Sequence, residues 1–344
     1  MERHTLVWLV VVGSVIMVAI AGACRAQPAA DLPRGVKAVW DVSKAYRETT
    51  PTRERICING LWRWQPARQA GTDVVPGENW GYFKVPGCWP GITDYMQKDC
   101  QTVHAHSSWE DQELGRVTAA WYQREITIPR TWARRRIAVC AEYLNSYAAI
   151  HVDGKQVGEI LFPAGEVDLT PACRPGGKHV LSMLVVAMPL KGVMLSYSDT
   201  NQARQVRGTV RRRGLCGDVY LTATPAGARM SDVRVSTSVR AGAITFGAAL
   251  QDLAADTQYA LRARIRGKSR RVAQFTSKAF QADDLKDGRI AFTEGWQPKR
   301  LWDIHTPQNT YRLKLSLLDA GGKVLDTAHP VRFGFREFWI DGRN

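Results

Sequence analysis

Alternating apolar and polar positions recur along the chain and predict β-strands. Tyr122 and Ile126 fall on one face of the segment 117–129, opposite a polar face that carries Gln and Glu. The segments 259–267 and 311–317 alternate in the same way. This period of two is typical of half-buried strands, and no segment of comparable length keeps a helical period. The pattern therefore predicts an all-β protein and excludes a parallel βαβ enzyme.

Local sequence also indicates one hairpin and one interior strand. Asp153-Gly154 separates the segments 148–152 and 155–159, and Asp-Gly between two such runs is a strong hairpin signal. The segment 179–187 is apolar on both faces, as suits a strand inside a sandwich. Strands and turns at this spacing favour β-sandwiches.

The chain is long enough for two domains. It has 344 residues, of which 45% are hydrophobic and 23% are charged. This is an ordinary globular composition, at roughly 150 residues per domain. The strand pattern breaks at residues 225–228 (PAGA). We predict a polar linker at 27–46, a first sandwich at 47–226 and a second sandwich at 227–341.

The N-terminus resembles an export signal. Basic residues precede an apolar run from Leu6 to Ala21, which is followed by small residues before Cys24. This predicts a signal peptide at 1–26 and export to the periplasm, the extracellular space or the outer surface of a bacterium. An uncleaved membrane anchor and a lipidated Cys24 are the alternatives, and we predict no other membrane association.

The formal net charge of +15 leaves several classes of partner to consider. We predict no nucleic-acid partner, because the arginines are scattered and the run at 211–213 lacks the aromatic residues that stack on bases. An anionic glycan remains open. The six cysteines other than Cys24 contain no C-x-x-C pair, so their pairing is open and no metal or cofactor is predicted.

Four stretches carry a family resemblance. They are 59–64 (NGLWRW), 83–89 (FKVPGCW), 121–158, which opens with WYQR and contains the Asp-Gly hairpin, and 214–219 (GLCGDV). In this order they resemble the N-terminal sugar-binding region of family 2 glycoside hydrolases, which include β-galactosidases, β-glucuronidases and β-mannosidases. Asp153, Cys216 and Gly217 stand where that family usually has Asn, Trp and Arg.

A further group of motifs lies nearer the C-terminus. Leu301-Trp302, followed by Tyr311 and by 333–336 (FGFR), resembles the family's immunoglobulin-like domain. The whole resemblance covers about residues 50–341. It implies a jelly-roll, galactose-binding-like β-sandwich followed by an immunoglobulin-like β-sandwich, while function must be argued separately from fold.

In this family the catalytic residues lie in a (β/α)8 barrel that follows the FGFR strand, and we expect such a barrel C-terminal to Asn344. The barrel holds an Asn-Glu acid/base site and a second Glu, and this sequence has no Asn-Glu dipeptide. We therefore predict no catalytic residue here. The resemblance implies the non-catalytic part of an exported β-glycosidase, supplying carbohydrate binding and scaffolding. We expect Phe335, Phe338 and Trp339 to form an exposed apolar surface toward the barrel.

Two other functions stay open. A free-standing carbohydrate-binding or adhesion protein would keep both sandwiches without hydrolase activity. An enzyme complete in these residues would require the acidic segment 110–113 to face a cleft with His104 or His106. A solvated loop is the simpler interpretation of that segment.

Sugar contact requires flat aromatic faces and a few fixed polar groups. Of the twelve tryptophans, Trp80, Trp89 and Trp109 lie in polar segments between strands, and we predict that they bind substrate. Asp199 and Asn201 are predicted sugar contacts by resemblance, since a loop at this place in the jelly roll reaches the substrate in some family members.

Overall fold

The computed structural model describes residues 29–67, 74–89, 103–187, 193–197, 203–207, 212–268, 270–340 and 342. Strands and turns dominate these residues, and the predicted all-β class is confirmed. Short 3-10 helices lie at Leu114–Arg116, Arg130–Trp132 and Ala282–Asp284. No helix in the described ranges is long and apolar enough to cross a membrane. The apolar run at 6–21 and Cys24 lie outside those ranges.

The strands are numbered in chain order. The first sixteen are β1 (Arg47–Thr49), β2 (Glu54–Cys57), β3 (Gly60–Pro66), β4 (Gly81–Val85), β5 (Val103–His104), β6 (Ala119–Thr127), β7 (Arg135–Ala141), β8 (Leu144–Asn145), β9 (Tyr147–Val152), β10 (Lys155–Leu161), β11 (Gly165–Asp168), β12 (Lys178–Val186), β13 (Val193–Tyr197), β14 (Ala203–Arg207), β15 (Gly214–Leu215) and β16 (Val219–Pro225). The others are β17 (Arg229–Ser238), β18 (Ala243–Gln251), β19 (Tyr259–Arg266), β20 (Arg271–Thr276), β21 (Arg289–Gly295), β22 (Thr310–Asp319), β23 (Val324–Thr327) and β24 (Val331–Gly334).

Two antiparallel sheets form the first sandwich. One has the order β1-β2-β16-β7-β11 and the other the order β10-β9-β12-β6-β3-β4-β5. Alternate residues such as Trp62 and Trp64 on β3, or Tyr122 and Ile126 on β6, point between the sheets and are buried there. Because successive side chains of a strand point to opposite faces, the residues between them line the outer face of the seven-stranded sheet.

The second sandwich repeats this plan with fewer strands. Its sheets are β17-β18-β21 and β20-β19-β22, with both β23 and β24 paired to β22. Tyr259, Leu261, Ala263 and Ile265 of β19 are all buried, as the alternating pattern predicts. The predicted class of two successive β-sandwiches is therefore confirmed. The core of the first ends at Ala223, and that of the second begins at Met230.

One buried carboxylate joins the two sandwiches. Asp326 on β23 is fully buried and forms an ion pair with Arg53, which precedes β2. It also accepts hydrogen bonds from Thr52 Oγ1 at 3.0 Å and from the Met230 amide at 2.8 Å. A buried charge with this many partners fixes the geometry of the chain around it.

The predicted apolar surface near the C-terminus is corrected at one position. Phe335 is 1% exposed and belongs to the second core, because FGFR continues the alternation of β24 and turns this ring inward. Phe338 and Trp339 are 80% and 50% exposed, as predicted, and Ile340 beside them is also exposed.

Candidate functional site

A row of polar side chains crosses the outer face of the seven-stranded sheet. Residues paired directly across neighbouring antiparallel strands share a face. The register pairs His104 with Tyr82, Tyr82 with Arg63, Arg63 with Gln123, Gln123 with Ser182 and Ser182 with His151. The row therefore extends from β5 to β9, and its centre lies on β3, β6 and β12.

Hydrogen bonds fix the centre of this row. Arg63 Nη1 donates to Gln123 Oε1 at 3.1 Å, and Gln123 Nε2 donates to Ser182 Oγ at 3.3 Å. Gln123 and Ser182 are 5% and 0% exposed, whereas Arg63 is half-buried. Buried amides and hydroxyls are tolerated when they have hydrogen-bond partners. The chain of bonds thus holds the Arg63 guanidinium in one orientation.

A cleft of about 760 Å³ lies over this row. Small-molecule sites typically have volumes of about 300–1,000 Å³. Residues of β3, β6 and β12 form the floor, and the segment 38–40, before the first strand, contributes to the lining. The lining includes Trp40, Arg63, Tyr82, Gln123, Glu125 and Ser182. The cleft therefore combines aromatic side chains with a hydrogen-bonding floor.

Both signs of charge line the cleft. Glu125 is exposed and forms an ion pair with Lys178 at 2.9 Å, and Asp153 is exposed beside the hairpin turn. The Gln123 side chain is a neutral amide. Its hydrogen bond with Arg63 therefore does not neutralise the positive charge of the guanidinium. A fixed guanidinium with several N–H donors is suited to bind hydroxyl, carbonyl or carboxylate oxygens.

Arg124 borders the cleft but serves the backbone. Its guanidinium donates to the carbonyl oxygens of Ile58, Asn59 and Leu61 at 2.6–2.7 Å and lies over the Trp62 ring. Burial lowers the pKa of Arg124 to about 10. The Arg of the WYQR stretch therefore fixes the turn into β3, and through it the position of Arg63.

The Asp-Gly turn at the rim of the cleft also anchors its hairpin to a neighbouring strand. Asp153 and Gly154 have φ values of +49° and +83°, which the turn between β9 and β10 requires. The Asp153 carboxylate accepts a hydrogen bond from the Val180 amide at 2.8 Å and lies 2.7 Å from His179 Nδ1. The hairpin is thereby tied to β12, the neighbouring strand of the cleft floor.

The rings of the three tryptophans that the sequence predicts to bind substrate are buried in this structure. Trp80 and Trp89 are 0% exposed and Trp109 is 9% exposed. Trp89 and Trp109 belong to the first core, where the Trp109 ring centroid is 5.3 Å from that of Trp64. Trp80 packs with Trp121 in a small apolar cluster on the outer face. Indole rings find apolar neighbours even when the sequence around them is polar.

Trp109 borders a second, smaller cavity. This cavity of about 290 Å³ is lined by Gln65, Ser108, Trp109 and Gln112, among others. Trp109 Nε1 donates to the Asn79 carbonyl oxygen at 2.9 Å, and the rest of the ring contacts the core. Trp109 is 9% exposed, so little of its ring face is available for a sugar to stack on.

Two further segments carried sequence predictions. Asp199 and Asn201 lie outside the described residues. In the acidic segment, Glu110 and Asp111 are exposed, and Glu113 pairs with Arg116 at 2.7 Å in solvent. No group of three or more metal-ligating side chains occurs in the ranges that the structure describes. The segment is therefore a solvated loop in this structure.

Sequence reasoning missed Arg63, Gln123 and Ser182. One signal was present, since Ser182 interrupts a run that is otherwise apolar on both faces, and such a residue needs a buried partner. The partner could not be identified, because β3, β6 and β12 are far apart in the chain and only their pairing aligns the three residues.

No protein-family model matches the sequence. Solved structures with a similar fold include a β-glucuronidase from Bifidobacterium dentium, with a TM-score of 0.62 and 19% sequence identity. The match covers 86% of this chain and 50% of that one. A β-glucuronidase from Ruminococcus gnavus gives a TM-score of 0.60 at 15% identity, covering 86% of this chain and 48% of that one.

A glycosyl hydrolase family 2 member from Bacteroides cellulosilyticus is also similar, with a TM-score of 0.56 and 17% identity. The match covers 82% of this chain and 36% of that one. This chain thus spans half or less of the length of these three proteins. At such identities the likeness establishes a common fold over part of the length of those proteins.

Proposed function

We propose that this chain is the carbohydrate-binding and scaffolding N-terminal region of an exported family 2 β-glycosidase. The observation that carries the proposal is the likeness to a solved β-glucuronidase over 86% of the chain. A share of this size includes most of both sandwiches. The motifs NGLWRW, WYQR and FGFR, which occur in the family's order, support the same assignment.

The cleft over Arg63 is the proposed carbohydrate site. A pyranose offers hydroxyl groups, which both donate and accept hydrogen bonds, and an apolar ring face. Arg63 donates, while the Gln123 amide and the Ser182 hydroxyl are held in fixed positions beside it. Trp40 and Tyr82 supply aromatic surface to the same cleft. Fixed polar groups next to aromatic surface are the usual basis of sugar recognition.

The exposed C-terminal side chains support the scaffolding role. Phe338, Trp339 and Ile340 are consecutive apolar residues in contact with solvent. They follow Glu337, whose carboxylate accepts hydrogen bonds from the Arg240 side chain at 3.0 and 3.1 Å. Arg240 also lies over the Trp339 ring, 4.7 Å from its centroid. An exposed apolar group that is held in place is typical of a docking surface.

Sugar binding to the purified protein tests the site. Titration calorimetry with methyl β-glucuronide, β-galactoside and β-mannoside should detect binding of at least one glycoside. Arg63→Gln should weaken that binding about 10-fold, because one charged hydrogen bond is lost. Arg312→Gln, on an exposed position of β22, is the matched control and should bind as the wild type does. If the Arg63→Gln variant binds the sugar as tightly as the wild type does, the carbohydrate site lies elsewhere.

Hydrolysis assays test the assignment to a glycosidase. A panel of chromogenic β-glycosides is offered to this chain and to the same chain extended through any in-frame downstream sequence. We expect activity only in the extended protein. Sugar binding with no hydrolysis by either form would instead favour a free-standing carbohydrate-binding protein. Hydrolysis by the short form would overturn the proposal that this chain binds carbohydrate while the downstream sequence catalyses hydrolysis.

A further inference from the structure

Two cysteines from different sheets lie in direct contact. Cys88 follows β4 of the seven-stranded sheet, and Cys216 precedes β16 of the five-stranded sheet. Their sulfur atoms are 3.1 Å apart, although 128 positions separate them in the chain. The remaining described cysteines, Cys57, Cys140 and Cys173, have no such contact with one another.

The backbone holds this pair in place. The Gly87 amide donates to the Leu215 carbonyl at 2.8 Å, and the Trp89 amide donates to the Arg213 carbonyl at 3.1 Å. Cys88 therefore lies between two hydrogen bonds to the segment that precedes Cys216. The Cys216 amide itself donates to the Tyr143 carbonyl at 2.9 Å. The sulfur contact thus results from the backbone pairing of the two segments.

The residues beside the two cysteines are closely packed. Gly214 has φ = +109°, and a Cβ at this position would lie 2.5 Å from the Tyr122 hydroxyl and 2.9 Å from the Trp89 ring. The Trp89 ring is fully buried, and its Nε1 donates to the Val117 carbonyl at 3.0 Å. Both neighbours of the sulfur pair are therefore anchored in the core.

The chemical environment favours reaction at Cys88. The hydrogen bond with the Cys216 thiol lowers the pKa of Cys88, and the positive charge of Arg212 lowers it further. The pKa of Cys216 is raised by the same contact and by burial. Since the thiolate is the nucleophile in disulfide exchange, Cys88 is suited to attack first, and Cys216 is close enough to attack the Cys88 sulfur afterwards.

From this geometry we propose that Cys88 and Cys216 form a disulfide that ties the two sheets of the first sandwich together. The oxidant is a small or protein disulfide. The Cys88 thiolate attacks one of its sulfurs and releases the other as a thiol. The Cys216 thiolate then attacks the Cys88 sulfur of the mixed disulfide and releases the second thiol. Two electrons and the two thiol protons pass to the oxidant.

The bond closes a large loop and should stabilise the fold. Cross-links that close long loops remove the most conformational entropy from the unfolded chain. Reduction should therefore lower the melting temperature of the wild-type protein by roughly 10 °C. The variant Cys88→Ser should melt at the same temperature with and without reductant.

Peptide mapping tests the linkage directly. The protein is equilibrated with oxidised and reduced glutathione. It is then unfolded in the presence of iodoacetamide, which alkylates the free thiols, and cleaved with trypsin. We expect the peptide 85–98, which contains Cys88, to be linked to the peptide 214–229, which contains Cys216. Reduction should release both. Cys57→Ser is the matched control, since Cys57 is half-buried like Cys88, and it should keep the linkage.

Two results would overturn the proposal. One is alkylation of both cysteines in protein whose circular dichroism shows the native fold after oxidation. The other is linkage of either peptide to a different cysteine, such as Cys100 in the peptide 99–116. If Cys88→Ser does not fold, comparison of oxidised and reduced wild-type protein still decides between these outcomes.

Discussion

At the scale of single residues, Arg124 illustrates why a motif position carries a given side chain. Its guanidinium satisfies three carbonyl groups at the turn into β3 and lies over the Trp62 ring. Only a planar group with several N–H donors can make this set of contacts. Gln123 beside it points to the opposite face and belongs to the cleft. Adjacent residues of one motif therefore serve the turn into β3 and the lining of the cleft separately.

Arg124→Lys should destabilise the protein although the charge is retained. An ammonium group cannot satisfy the three carbonyl groups at once, and we expect a loss of about 2–3 kcal/mol in the free energy of unfolding. Urea unfolding that is monitored by tryptophan fluorescence measures this loss. Arg312→Lys, at an exposed strand position, should leave the midpoint unchanged. A midpoint for Arg124→Lys equal to the wild-type value would show that these bonds contribute little.

At the scale of elements, Gly158 lets two sheets meet at the edge of the first sandwich. It lies on β10, next to an irregularity in the pairing with β9. A Cβ at this position would lie 2.7 Å from Val167 Cγ1 on β11 of the other sheet. The glycine at position 158 is thereby explained by the close approach of β10 to β11.

Gly158→Ala should cost about 1–3 kcal/mol through this clash. Val167→Ala removes the methyl groups involved, so the double variant should lose less stability than the sum of the two single variants. Gly295→Ala is the matched control, because this strand glycine has open space around its Cβ position. If chemical denaturation shows that the double variant loses as much free energy of unfolding as the two single variants together, the predicted contact is contradicted.

At the scale of the whole molecule, the junction between the sandwiches concentrates ionisable groups. Arg53 and Asp326 form a buried ion pair there. His329 lies nearby, 3.8 Å from the Glu48 carboxylate. Burial lowers the pKa of His329, and the charges of Arg55 and Arg53 act in the same direction, whereas Glu48 and Asp326 oppose it.

The stability of the junction should therefore depend on pH. Because the pKa of His329 is lower in the folded state, the unfolded chain binds more protons below its ordinary pKa of 6.5. Above pH 6.5, neutral His329 makes its full contribution to the free energy of unfolding. This contribution is lost as the pH falls toward the pKa of His329 in the folded state. His329→Asn should flatten the fall in melting temperature between about pH 7 and pH 5.

The control for this prediction is His305→Asn, which changes an exposed loop histidine. It should retain the pH dependence of the wild type. Glu48, whose pKa is lowered by its hydrogen bond from Arg55, loses its contribution only at more acidic pH. Identical pH profiles for His329→Asn and the wild type would show that other groups cause the acid sensitivity.

Local patterns allowed much of the fold to be predicted from the sequence. The alternation of β19 and the Asp153-Gly154 turn depend on neighbouring residues, so the chain specifies them before any long-range contact forms. The break in the strand pattern at residues 225–228 likewise indicated two sandwiches. Exposure was predicted less well, as the burial of Phe335 shows, because it depends on what packs over a side chain.

By itself, then, the sequence determined the strands, the hairpin and the succession of two β-sandwiches, since these follow from periodicity and turn chemistry. Only the tertiary structure decided that Arg63, Gln123 and Ser182 form one row and that Cys88 meets Cys216. The physical reason is register. Strands distant in the chain are aligned by the burial of their apolar faces. That alignment places the three polar groups together on the opposite face, and it brings the segments that follow β4 and precede β16 close enough to pair.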